Sequence, residues 1–387
     1  MRSSLTFGIA LSFAFFASSL SAQEAQRWSY SPEFMQPFWK GDQIEGEPVL
    51  FIRDAKTGTA RATLLFPIEK IEAVRSSAGD VTYQEGVDFH FDHQSREIVV
   101  PSDSRIITKS PEDLRRPAKS QAYQLTHRDG KGEIFFGAKL EYHQMQTRVS
   151  YTSSVKEWPV KMPAFDADVL PRTIAKLRDG QPLAIVLLGD SISTGCNASG
   201  WANAAPFQPP YQDLLQQHLE KLYKTKVTLT NLAVGGTATP WGETRIDQVV
   251  QEKPDLVILA FGMNDSSGIS AEDYGKNTAA MIAKTRARLP ETEFILVASM
   301  LGNRDWTTLK HELFPQYRDE LAKLCGPSIA LADLTSVWDE FLKRKKDWDL
   351  TGNGVNHPND FGHRVYAQVI SALLVDPESK LHLRIQN

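Results

Sequence analysis

The chain has 387 residues, 41% hydrophobic and 23% charged, with 24 glycines and 21 prolines, a globular composition that excludes disordered and collagen-like chains. Its 43 Lys+Arg against 47 Asp+Glu leave a formal charge of −4, with no basic excess for a nucleic-acid partner or an anionic membrane. Two cysteines, Cys196 and Cys325, exclude a disulfide framework and a four-cysteine zinc site.

Residues 1–22 read as a cleavable signal peptide: Arg2, an apolar stretch over 5–16, then small residues to Ala22. The apolar stretch is too short to span a bilayer, so a secreted or periplasmic protein without membrane insertion is expected once the signal is removed. Over 23–160, short alternating runs at 49–52, 62–66, 71–75, 97–100, 133–136 and 148–151 are separated by turn residues, which predicts a jelly-roll-like β-sandwich domain. A linker with a short helix over 169–177, stopped near Gly180, fills 161–182.

From 183 to 387 strands alternate with helices. The strand candidates are 184–188, 227–232, 256–261, 294–299 and 329–332, and the helical stretches 211–223, 273–288, 314–324 and 362–374. Nearly continuous apolar strands with such crossovers predict a doubly wound parallel α/β sheet. Its ligands bind at the carboxyl ends of the strands, near the switch point. Cys196 and Cys325 then fall at opposite ends of that sheet, and free thiols are expected.

The chemistry-bearing residues gather at those ends. Gly189-Asp190-Ser191 follows the first strand, Gly235-Gly236 the second and Gly262-Met263-Asn264-Asp265 the third, while His357-Pro358 precedes the last helix. A serine hydroxyl needs an imidazole to take its proton, a role His357 fits, and donors aimed at the developing oxyanion. Ser191 N–H, Gly236 N–H and the Asn264 amide are the candidates.

This order of motifs over roughly 183–375 resembles the SGNH/GDSL hydrolases. The resemblance implies a flavodoxin-like three-layer α/β/α fold and ester hydrolysis with Ser191 as nucleophile, Gly236 and Asn264 in the oxyanion hole and His357 as base. It also implies, for an exported chain with an added sandwich, an O-acetyl ester of a carbohydrate as substrate. A lipid esterase, a thioesterase, or a catalytically impaired carbohydrate-binding protein are the alternatives. No cofactor or metal is required, and the partner is a small-molecule or polysaccharide ester. The sequence leaves the oligomeric state open.

One position departs from the family pattern: Gly354 stands where an aspartate three residues before the histidine is usual. The ring could be oriented by a main-chain carbonyl of the 353–356 loop, which is the favoured reading, or by a remote carboxylate such as Asp333 or Asp349; failing these, activity would be lost. His363 is assigned to packing, and Asp190 and Asp265 to holding their loops. Trp201 and Trp241 are candidates for a substrate wall, with Trp306 in a similar loop. Asp88, His90 and Asp92 alternate on a strand and are read as its wet face rather than a metal site. The run Lys343-Arg344-Lys345-Lys346 is read as a solvated helix end.

Overall fold

The computed structural model describes residues 28–154 and 158–377. The expected signal peptide lies outside the described residues. Among these residues, no helix is long and apolar enough to cross a membrane.

The first part is rich in strands. One four-stranded sheet runs in the order Gln43–Val49, Thr147–Thr152, Lys70–Ser76 and Thr82–Tyr83. A five-stranded sheet runs His90–Phe91, Glu97–Val100, Ala60–Thr63, Phe51–Arg53 and Thr108–Lys109, and a two-stranded ribbon joins Arg115–Arg116 to Glu133–Ile134. The run expected at 62–66 leaves its strand after Thr63 because side chains take over its backbone groups. Leu65 N donates to the Glu47 carboxylate at 3.0 Å and Phe66 N to Tyr151 Oη at 3.1 Å. A short helix, Glu141–Met145, was not foreseen. It matters because Tyr142 reaches the site described below.

The second part holds a parallel sheet of β1 (Leu183–Gly189), β2 (Val227–Asn231), β3 (Leu256–Ala260), β4 (Glu293–Ala298) and β5 (Ile329–Asp333), in the order β2-β1-β3-β4-β5. The helices α1 (Tyr211–Tyr223), α2 (Ala271–Arg286), α3 (Leu313–Leu324), α4 (Leu334–Phe341) and α5 (Asp360–Ser371) cover it. In α1 the buried Tyr211, Leu214, Leu215, Leu219 and Leu222 recur at helical spacing, so one stripe faces the sheet. Ser270 starts α2 by accepting from Asp273 N, and Asn359 starts α5 by accepting from Gly362 N. This is the flavodoxin-like three-layer arrangement, with its switch point between β1 and β3.

One apolar cluster runs through both parts, from Val49, Phe51, Val74 and Tyr151 to Trp338, Phe341 and Val369. A buried ion pair also crosses the junction: Lys345 Nζ lies 2.6 Å from Glu47 Oε1, both side chains are fully buried, and Nζ also donates to Thr63 O. Arg344 donates to Leu65 O. The basic run is therefore in part an internal brace rather than a solvated helix end. Asp88 is likewise no wet-face residue, since Arg105 holds its carboxylate at 2.6 and 2.9 Å. Cys196 and Cys325 are free and half-buried.

Candidate active site

Ser191 leaves the carboxyl end of β1 in a loop fixed by its neighbours. Asp190 Oδ1 accepts from Ile192 N at 2.9 Å, Ser191 O accepts from Thr194 Oγ1 at 2.8 Å, and Asn231 Nδ2 donates to Ser193 O at 2.7 Å. The loop after β2 is tied to the same turn, Val234 N donating to Gly189 O at 3.1 Å. Gly235 lies beside Ser191, where an added Cβ would sit 3.6 Å from the serine Cβ. Gly236 is needed for its backbone, φ +77°, while the space in front of it is open. Asn264, after β3, donates from Nδ2 to Thr237 O at 2.8 Å. That bond aligns the amide and leaves its second N–H available. Asp265 holds the two loops together by accepting from Thr239 N and Gly262 N. Burial pushes the Asp190 carboxyl up to about 7, with Asp265 adding to the effect.

His357 arrives from the loop before α5. Its Nε2 lies 2.9 Å from Ser191 Oγ, and its Nδ1 lies 2.8 Å from Asn197 Oδ1. The tautomer follows from the far side of Asn197. Nδ2 of that amide faces the carbonyls of Gly352 at 3.2 Å and Lys139 at 3.3 Å, which can only accept. Oδ1 must therefore face the imidazole, His357 Nδ1 must carry the proton, and Nε2 is left with a lone pair toward the serine hydroxyl. Burial, with the charge of His363 second, pushes the His357 ring down to about 3, so it is neutral near pH 7.

Asn197 was not among the residues singled out from the sequence. Neither proposed carboxylate reaches the ring: Asp333 caps α4 through Ser336 N and Ser336 Oγ, and Asp349 accepts from Leu50 N and Lys346 N. The carbonyls of the 353–356 loop do not orient it either. Asn353 Oδ1 folds that loop by accepting from Val355 N, Asn356 N and His357 N at 2.9 to 3.2 Å. Gly354 has φ +78°, and a Cβ there would lie 2.2 Å from Tyr142 Oη. Tyr142, from the strand-rich part, thus fills the space that a side chain at position 354 would need.

His363 is wholly buried, with Nδ1 accepting from Tyr211 N at 3.3 Å and Nε2 donating to Cys196 O at 3.2 Å. Both nitrogens are used in packing. Trp241 is packed against Phe261 and covered by Arg245, 4.9 Å from its ring, which removes it as an exposed wall. Trp306 packs beside Leu125, Ile134 and Val355. Trp201 is 44% exposed on the loop that carries Asn197.

Residues 187–365 match the model of the GDSL-like Lipase/Acylhydrolase family. No match to a curated protein was found. Among solved structures, a two-domain esterase (CEX) active on acetylated mannans, co-crystallised with mannopentaose, is similar at 19% identity over 58% of this chain and 55% of its own, with TM-score 0.44. The match thus spans about half the length of that esterase. The acetyl xylan esterase AlAXEase is similar at 21% identity over 50% of this chain and 100% of its own, with TM-score 0.40. A lipase/acylhydrolase from Enterococcus faecalis gives 24% identity over 49% and 93%, with TM-score 0.39.

Proposed function

We propose that the chain, whose residues 187–365 match the model of the GDSL-like Lipase/Acylhydrolase family, is an ester hydrolase with Ser191, His357 and Asn197 as its working chain. The observation that carries this reading is the pair of contacts at 2.9 and 2.8 Å that links hydroxyl, imidazole and amide.

As Ser191 Oγ bonds to the ester carbonyl carbon, its proton passes to His357 Nε2, and the carbonyl oxygen becomes an oxyanion. Donors set in advance at that oxygen stabilise the transition state more than the ground state. These donors are Ser191 N–H, Gly236 N–H and the remaining Asn264 N–H. Collapse breaks the bond to the alcohol oxygen, which takes the proton from His357. Water then repeats the sequence on the acyl-serine, giving the carboxylic acid and the free hydroxyl. Asn197 does not touch substrate. It is a positioning residue that selects the tautomer and supports the transient imidazolium with a dipole instead of a full charge.

The substrate read for this site is a small acyl ester, an O-acetyl group, on a carbohydrate, in an exported protein whose 23–160 part acts as an accessory β-sandwich domain to the hydrolase domain of 183–387. The exposed ring of Trp201 offers a flat stacking surface on the Asn197 loop. Acetate release from acetylated polysaccharides, compared with hydrolysis of a long-chain acyl ester, tests this. Release lost in Ser191→Ala supports the reading, and preference for the long chain overturns the substrate assignment.

A further inference from the structure

A cavity of about 350 Å³ opens between the four-stranded sheet, the start of the described chain and the loop around Pro206, with Trp28, Phe34, Glu45, Arg75 and Arg148 in its wall. Arg148 and Arg75 stand directly opposite each other on the strands Thr147–Thr152 and Lys70–Ser76. Like charges in such a cross-strand pair are disfavoured unless something compensates them. Among the described residues, Arg148 Nε is buried without a hydrogen-bond partner.

The other charges in reach do not supply that partner. Glu72 is engaged by Lys70 at 2.9 Å. Glu45 and Asp360 act on Arg148 through space only, and they also act on Arg364, which is buried behind Gly46 and donates to Glu45 O and Gly46 O. Arg148 and Arg364 thus share the influence of Glu45 and Asp360. Gly79, at φ +83°, leaves the room that the Arg148 guanidinium occupies, since a Cβ there would lie 2.5 Å from Nη2. Trp28 and Phe34, with ring centroids 4.9 Å apart, supply an apolar side.

We propose that this cavity binds a carboxylate-bearing ligand, its carboxylate between Arg148 and Arg75 and a flat apolar face against Trp28 and Phe34. A planar guanidinium matches a carboxylate through two parallel hydrogen bonds, and an anion there removes the repulsion between the two arginines. The ligand is a uronic-acid unit of a polysaccharide or a free aromatic carboxylate. Both present the same chemistry.

Titration calorimetry of the whole protein with D-glucuronate, benzoate and D-glucose separates the cases. Binding of glucuronate alone assigns the sugar acid, binding of benzoate alone the free aromatic acid, and glucose should not bind. Arg148→Gln and Arg75→Gln should each weaken the bound carboxylate at least ~10-fold, with hydrolysis of an aryl acetate unchanged. Arg75 is exposed, so its variant carries the test if Arg148→Gln does not fold. No binding of either carboxylate, glucose binding equally well, or affinity unchanged in a folded arginine variant would overturn the proposal.

Discussion

Replacing Asn197 by Asp adds the missing carboxylate in the place where the structure puts the orienting group, 2.8 Å from His357 Nδ1. Two unit charges ~4 Å apart at an effective dielectric constant of ~20 interact by about 4 kcal/mol. At 1.36 kcal/mol per pH unit, that is enough to raise the imidazolium by roughly 3 pH units. In the wild type, burial holds the ring down to about 3, so the base is neutral over the whole range above it. The acid limb of kcat/KM should therefore lie well below the ordinary histidine range. In Asn197→Asp the limb should move upward by roughly 3 pH units. The variant should also be less stable, because Gly352 O and Lys139 O lose their donor and face a negative charge, a cost of about 1–3 kcal/mol for each buried group left unpaired. The assay is the pH dependence of aryl acetate hydrolysis in both proteins, with thermal unfolding alongside. A wild-type limb near pH 6.5, or an identical limb in a folded Asn197→Asp, refutes the assigned contact.

Other substitutions probe neighbouring links. Asn197→Ala should lower kcat by about 10–10²-fold with little change in KM, since it loosens the ring without removing a charge; a change confined to KM would contradict a positioning role. Asn264→Ala should lower kcat by roughly 10²–10³-fold, as expected for one oxyanion donor, and a loss of only a few-fold would remove it from that role. Gly354→Asp should not restore a charged triad. It should unfold at lower temperature because Tyr142 occupies the space, and Tyr142→Ala in the same chain should recover part of the loss. Lys345→Met leaves Glu47 buried and unpaired and should cost about 3–5 kcal/mol in denaturant unfolding, with the double variant Glu47→Gln, Lys345→Met less affected.

The placing of Ser191, Gly236, Asn264 and His357 was legible because each lies in the loop at the end of a strand or just before a helix, where a parallel sheet collects its ligand-facing residues. The helix 211–223 was legible to the residue because its apolar stripe is unbroken and Lys224 ends it with φ +52°. Asn197 was not legible. Its partner lies 160 positions away, and its amide is turned by carbonyls from two distant segments, at Lys139 and Gly352, neither of which a local pattern reveals. Gly354 looked like a missing carboxylate when read along the chain, whereas in space it is the contact surface of Tyr142. The same kind of long-range contact turned Lys345 from an exposed charge into the partner of Glu47. The helix α4 was missed because its acidic N-cap, Asp333, ends a strand without an intervening loop.

The central claim is that Ser191 is the nucleophile and His357 its base. It is tested most directly by treating the protein with an aryl phosphonate and locating the adduct by peptide mass spectrometry. One phosphonyl group per chain on Ser191, formed much more slowly in His357→Ala, is the predicted result. An adduct on another residue, or a labelling rate indifferent to His357→Ala, would contradict it.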